Sequence, residues 1–277
     1  MARHLERKHG GEIDVAKALS YSKGSKTRRH LLDELRHKGN YQHNIAAMKC
    51  GQGEVVTWRQ PPTGSDVSDY LPCKHCFTFF VRKELWKHQA KCKSKKQTSK
   101  TRQRVQANAS ELIPIPNSAS SGCQKIICSM QQDAVSFCIR NDDLICKFGD
   151  SLYAKHGHEK SQRGYMSQRM RELGRLLLEV RKIDPTVKTL KDLCKPGQFE
   201  LAVEGAKKVA GYSEDSENFA KPGTALKIGY SLKRAAEVLI GQSLMKGDKV
   251  RGKLKEICRS DGFLLANIHI GSCTHSP

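Results

Sequence analysis

Leu71-Pro-Cys-Lys-His-Cys-Phe-Thr-Phe-Phe-Val-Arg-Lys-Glu-Leu-Trp-Lys-His-Gln-Ala-Lys-Cys92 sets Cys73, Cys76, His88 and Cys92 at the spacing C-x2-C-x11-H-x3-C. Three thiols and an imidazole form a soft-to-borderline donor set, and this spacing suits a tetrahedral Zn²⁺. A short knuckle presents the first cysteine pair. One face of a helix presents His88 and Cys92, which stand four residues apart. Phe79 or Phe80, together with Leu85, supplies the two apolar anchors that serve so small a module as its core. The same helix is expected to carry Arg82, Lys83, Lys87 and Lys91. Four unrelated thiols and imidazoles in a cysteine-rich chain are the bland alternative. Ligand spacing, anchors and a helix-compatible gap all speak against it, so the stretch reads as a structural zinc site with a basic helix.

Working outward, the whole chain is strongly basic. Its 277 residues include 49 Lys and Arg against 28 Asp and Glu, a formal net charge of +21. Such an excess implies a polyanionic partner, nucleic acid being the commonest. No run of apolar residues is long enough to span a bilayer, and Met1-Ala-Arg-His-Leu-Glu-Arg7 is no signal peptide, so an intracellular protein with no membrane partner is expected. The 11 cysteines then read as reduced thiols, three of them metal-bound. Cys128, Cys138, Cys146, Cys194 and Cys258 fall on or near apolar faces and are expected to be core thiols.

Upstream of the motif, residues 1–9 resemble the back half of a finger helix, with His4 and His9 as an H-x4-H pair lacking its thiolates. Residues 10–68 hold short helices and a connector. Val15, Ala16 and Leu19 mark one helix, and Leu31, Leu32 and Leu35 a second that Gly39-Asn40 is expected to close. Lys26, Arg28, Arg29, Arg36 and Lys38 crowd its outer face, either as a solvated surface or as phosphate contacts. Val55-Val-Thr-Trp58 reads as a short strand packed on the finger.

The finger occupies 69–93, and a basic, flexible linker follows over 94–122. From Lys87 to Arg104 there are eight Lys and Arg and no acidic residue. The candidate nucleic-acid contacts are therefore Arg82, Lys83, Lys87, Lys91, Lys93, Lys95, Lys96, Lys100, Arg102 and Arg104. Blocks of like charge stay extended and bind polyanions or import receptors, which predicts the nucleus as the location. Residues 123–262 read as an all-α bundle of about five helices. Asp133–His156 carries one apolar pattern and Tyr165–Lys182 another (Met166, Met170, Leu173, Leu176, Leu177, Val180). Further helices are expected near Leu190–Cys194, Phe199–Ala210, Ala225–Met245 and Lys249–Cys258. Residues 263–277 depart from this pattern as a divergent tail. The fold class is thus mainly α: a small zinc-finger module and an all-α bundle joined by a basic, disordered linker.

Lys155-His-Gly-His-Glu-Lys160, Met170-Arg-Glu-Leu-Gly-Arg-Leu-Leu-Leu-Glu179, Lys38-Gly-Asn-Tyr-Gln-His-Asn-Ile45 and the Asp69-Tyr-Leu-Pro lead into the cysteines are similar to a large group of zinc-finger proteins of fish and invertebrates derived from mobile elements. The resemblance covers nearly all of residues 1–262. The helical region resembles the core-binding domain of Crypton-type tyrosine recombinases, which implies a DNA-handling ancestor. Such enzymes cut DNA with a tyrosine, two arginines, a lysine and a His-x-x-Arg motif in a separate catalytic domain. Here His4-Leu-Glu-Arg7 is the one His-x-x-Arg and reads as a finger tail, so no catalysis is expected.

Other chemistry finds little footing. His156-Gly-His158-Glu159 reads as a polar surface patch, and Asp142-Asp143 would point about 100° apart on a helix. Two classes of function remain. The first is a nuclear, zinc-dependent, non-enzymatic DNA-binding protein, with RNA the weaker target because no RNP-like aromatic strand occurs. The second is a protein adaptor whose finger and bundle bind protein; exposure of the Phe77, Phe79, Phe80 and Trp86 cluster favours it.

Overall fold

The computed structural model of the chain describes residues 2–50, 54–60, 66–95, 104–115, 118–195 and 197–245. Two units are present, divided after Pro114, and the fold is mainly helical. The helix expected over 249–258 and the 263–277 tail lie outside the described residues.

The first unit opens with α1 (Ala2–Lys8) and α2 (Ile13–Leu19). Val15 and Ala18, three residues apart, are the buried face of α2, while Ala16 is exposed. After a turn comes α3 (Lys26–Cys50). The Arg28 guanidinium donates to the carbonyls of Leu19 and Tyr21, each at 3.1 Å. It therefore satisfies orphan acceptors at the end of α2 and is not part of a free basic face.

The helix α3 does not stop at Gly39-Asn40, as the sequence had implied. Tyr41 lies 5.3 Å from the Phe77 ring and 6.3 Å from Phe79. Asn44, fully buried, gives its amide to the Val56 carbonyl (2.8 Å) and takes the Val56 N–H (2.7 Å). These long-range contacts need a continuing helix to carry them, and they outweigh the local stop signal.

Three further elements form around the cysteine motif: β1 (Tyr70–Pro72), β2 (Phe79–Val81) and α4 (Leu85–Lys91). Part of the 94–122 stretch expected as a flexible linker is folded. Val105–Ser110 forms α5, which packs on β1 and α4 and buries Ala109 and Ser110, with Ile113 buried just beyond it. The Tyr41 hydroxyl donates to the Leu112 carbonyl, fastening this return segment. Small Ala, Asn and Ser side chains gave no hydrophobic signal, yet they let the backbone come close.

The second unit contains α6 (Ser121–Ser129), α7 (Ala134–Arg140), α8 (Asp143–His156), α9 (Arg163–Ile183), α10 (Leu190–Leu193), α11 (Phe199–Ala210) and α12 (Pro222–Met245). The central helix is α9, in contact with α6, α7, α8, α11 and α12. Its predicted stripe of Met166, Met170, Leu173, Leu176, Leu177 and Val180 has no solvent exposure at all. Close approach needs small residues where helices cross. A Cβ on Gly205 of α11 would meet Val180 Cγ2 at 2.6 Å, and one on Gly174 of α9 would meet Ile139 Cγ1 at 2.9 Å.

The single pattern over Asp133–His156 resolves into two helices. Asp133 caps α7 through the Ser136 N–H (2.9 Å) and grips Arg171 of α9 with both carboxylate oxygens (3.0 and 2.5 Å). Asp142 caps α8 through Ile145 N–H (2.8 Å) and reaches the Leu190 N–H at the start of α10 (2.7 Å). It is therefore a buried junction, whereas its neighbour Asp143 is exposed. Cys128, Cys138, Cys146 and Cys194 are buried as expected of core thiols, Cys123 joins them unforeseen, and Cys258 lies outside the described residues. One strand element went unforeseen: β3 (Tyr212–Ser213) pairs with β4 (Asn218–Phe219) between α11 and α12. Gly211, at φ +69°, ends α11 and turns the chain into that hairpin.

Candidate metal centre

The local backbone builds the centre before any ligand is considered. β1 and β2 pair antiparallel, Leu71 opposite Phe80, and the six residues between them form the knuckle. Inside it, Cys73 N–H donates to the Thr78 carbonyl (2.9 Å) and Phe77 N–H to the Cys73 carbonyl (2.8 Å). The turn requires φ +59° at Phe77, a left-handed conformation uncommon for a bulky residue. Tyr41 of α3 packs against that ring and holds it. The His75 N–H points at Cys73 Sγ (3.5 Å), as an amide does toward a sulfur that will carry charge.

From the other side α4 brings His88, and Cys92 follows as the residue that ends the helix in extended conformation. The helix begins at Leu85, so Arg82 and Lys83 lie before it and not on it. Of the two candidate aromatic anchors, Phe79 is the buried one, with Leu85 beneath α4. Phe80 instead stacks on the His88 ring at 3.9 Å and 20° and so fixes its plane.

Cys73, Cys76, His88 and Cys92 thus place four donor atoms within 4.8 Å of one another, a cluster that can hold a metal ion. The fit to a tetrahedron is close: metal–sulfur bonds of roughly 2.3 Å give sulfur–sulfur edges of about 3.8 Å. Here Cys73 and Cys92 sulfurs stand 3.9 Å apart, and Cys76 Sγ lies 3.3 Å from His88 Nε2. Electrostatics points the same way. Hydrogen bonds from the Cys73 thiol and then His88 hold the Cys76 thiol down to about 3. That same bond to Cys76, followed by burial, pushes the Cys73 thiol up, and burial with the Cys76 charge raises Cys92. One thiolate therefore suppresses the other two, and a bound cation is what lets all three ionise together. Among the described residues no other group of His, Cys, Asp and Glu forms such a cluster. His156 and His158 do not join one.

The basic candidates divide. Lys83, Lys87, Lys91, Lys93 and Lys95 are exposed around the module, as is Arg104 at the start of α5. Lys87 has Glu84 at 3.8 Å, a weak surface pair. Arg82 differs: its side chain is only 18% exposed and pairs with Asp69 at 3.5 Å, so it braces β1 against β2. Lys96, Lys100 and Arg102 lie outside the described residues.

What the sequence did not disclose is the aromatic wall beside α4. Thr57 makes a parallel bridge to Phe79, and Trp58 N–H donates to the Phe79 carbonyl (2.9 Å). The Val55–Trp58 segment thus meets the edge of β2 through one bridge, short of a strand. Trp58 stacks on Phe80 at 5.8 Å. With Trp86, these rings line a groove of about 640 Å³. The signal was a pair of indoles, one within the motif and one in the Val55–Trp58 segment expected to pack on the finger, but nothing local set both rings on one groove.

No protein-family model, curated protein or solved structure matches the chain. Among the described residues no helix is long and apolar enough to cross a membrane.

Proposed function

We propose that this protein is a zinc-dependent, non-enzymatic DNA-binding protein of the nucleus. The observation that carries the reading is the juxtaposition of a Cys3His cluster with an exposed cationic rim on the element the cluster orders. Zinc is the ion preferred by three thiolates and an imidazole in tetrahedral array. Holding α4 against the β1–β2 knuckle, the ion fixes Lys87 and Lys91 on one exposed helix, with Lys83 before it and Lys93 and Lys95 after it. Ammonium groups so arranged neutralise phosphates and release counterions. One finger spans only about three base pairs, so affinity is mostly electrostatic and sequence preference weak. The expected import signal is the basic run that continues from Lys91.

The test is fluorescence anisotropy of a labelled random duplex against the full chain, over a salt series, with and without a zinc chelator. A steep loss of affinity with salt, together with weakening on chelation, is expected. Binding that ignores the chelator would assign the affinity to the basic segment alone. An adaptor role is the second reading: of the four aromatics whose exposure would favour it, Trp86 is exposed, Phe77 and Phe80 are half-buried and Phe79 is buried, while Trp58 adds a second exposed indole. Absence of duplex binding at any salt would favour it.

A further inference from the structure

The groove beside α4 has a chemistry of its own. Its lining includes Trp58, Phe80 and Val81 together with Trp86, Lys87 and Lys91 of α4. The rings are ordered: Trp58 stacks on Phe80 at 29° and Phe80 on His88 at 20°, a run of three rings whose inner end is a metal-cluster residue. The outer end, Trp58, is held by its backbone bond to Phe79 yet is 58% exposed. Trp86 is 59% exposed. The Lys87 ammonium lies 5.9 Å from the Trp86 ring centre, and indole faces left in water are surfaces for another flat, apolar group to cover.

Charge selects what that group belongs to. Arg59, Lys87 and Lys91 lie along the groove, and the sole acidic residue lining it is Glu84, which pairs with Lys87. The complement is therefore an anion that bears flat rings. A duplex buries its base faces in its own stack, whereas a single strand offers them alternately with phosphates. Resting on the nucleic-acid reading above, we infer that this groove binds unpaired bases of a single strand. They stack on Trp58 and Trp86, and the flanking phosphates meet Arg59, Lys87 and Lys91.

The chain has only two tryptophans, and both line the groove, so indole emission reports this site alone. The full chain, supplied with zinc, is titrated with a labelled oligothymidine of about a dozen nucleotides, within the span of one small single-strand site. A duplex of equal length is run beside it. Indole emission and label anisotropy are recorded together. The expected result is that the single strand quenches emission as it binds. Trp86→Leu and Trp58→Leu each weaken it roughly 5- to 150-fold, the range for one lost base–aromatic stack, while duplex affinity stays nearly constant. Retained zinc content shows that each variant is folded, and if Trp58→Leu loses zinc, Trp86→Leu decides alone.

Binding seen by anisotropy without quenching, or unchanged in Trp86→Leu, overturns the inference and leaves DNA binding in place. Binding of neither strand form overturns both readings. If an aromatic-containing acidic peptide quenches the emission and oligothymidine does not, the groove is a protein-docking surface and the inference falls.

Discussion

In the bundle, α9 alone places Met166, Met170, Leu173, Leu176, Leu177 and Val180 out of all contact with water. Between Tyr70 and Cys92 the large apolar side chains buried are Tyr70, Leu71, Phe79 and Leu85, joined by Pro72, Thr78, Gln89 and the three cluster cysteines. At about 1.5–3 kcal/mol for each large side chain, the helix can hold its neighbours by burial, whereas the knuckle cannot offset its ordering entropy that way. The contrast teaches that the same chain uses two kinds of cohesion. One is spread over many weak contacts and tolerates change; the other, with the proposed ion bound, is concentrated in four donor atoms.

The strongest break of that contrast is removal of the ion. Chelation, Cys73→Ser or His88→Ala is expected to abolish amide protection across residues 70–92 and to leave the bundle protected. The zinc proposed for this cluster would supply on the order of 10–16 kcal/mol of apparent binding energy, as structural zinc sites do, far more than the small core contains. Hydrogen exchange followed by mass spectrometry reads the two units separately. Unchanged protection in the knuckle of a metal-free sample would mean that α3 and α5 hold it without the ligands.

The converse break is Leu173→Ala at the centre of α9. Deleting a fully buried leucine side chain costs about 2–5 kcal/mol, and all of it should fall on the bundle. The thermal transition of the second unit should drop while zinc content stays at its original value. A loss of zinc in this variant would show that the two units do not fold independently.

A third variant sharpens the boundary of the first unit. Asn44→Ala removes a buried amide that bonds both backbone groups of Val56, at a cost of about 1–3 kcal/mol. Faster exchange in both α3 and the knuckle, with zinc retained, is the expected outcome. Equal protection in the knuckle would return the finger to the status of a self-contained module.

These positions also show where sequence reading reaches. Cys73, Cys76, His88 and Cys92 were legible because their geometry is local: a knuckle and one helix fix all four. The stripe of α9 and the bounds of α11 were legible because apolar period and burial coincide. Gly39-Asn40 misled because the contacts that extend α3 come from Tyr41 and Asn44 meeting residues far along the chain. The α5 segment has the composition of a linker because Ala109 and Ser110 are small, and smallness is what lets them be buried. Arg28 and Arg82 looked like the other cations, since composition cannot distinguish a guanidinium that caps a helix or braces two strands from one facing water.

Asp142 provides the smallest effect and a finer test of how the bundle coheres. Its carboxylate joins α8 to the start of α10, and burial pushes its pKa above the ordinary 3.8, against the lowering pull of the Leu190 and Ile145 amides. A folded-state pKa above the unfolded one means that the folded chain binds the proton more tightly. The stability this group contributes is thus present below the unfolded value and declines as pH rises through the folded value. Asp142→Asn cannot titrate. The stability of wild type minus that of the variant, from urea unfolding of the bundle, should therefore fall with rising pH above 3.8 and then level off, at no more than about 1.4 kcal/mol per pH unit. A difference that grows with pH would mean that the two amide hydrogen bonds to the charged carboxylate outweigh its burial. The bundle would then share with the metal module a dependence on one buried charge, and the contrast between the two units would narrow to one of degree.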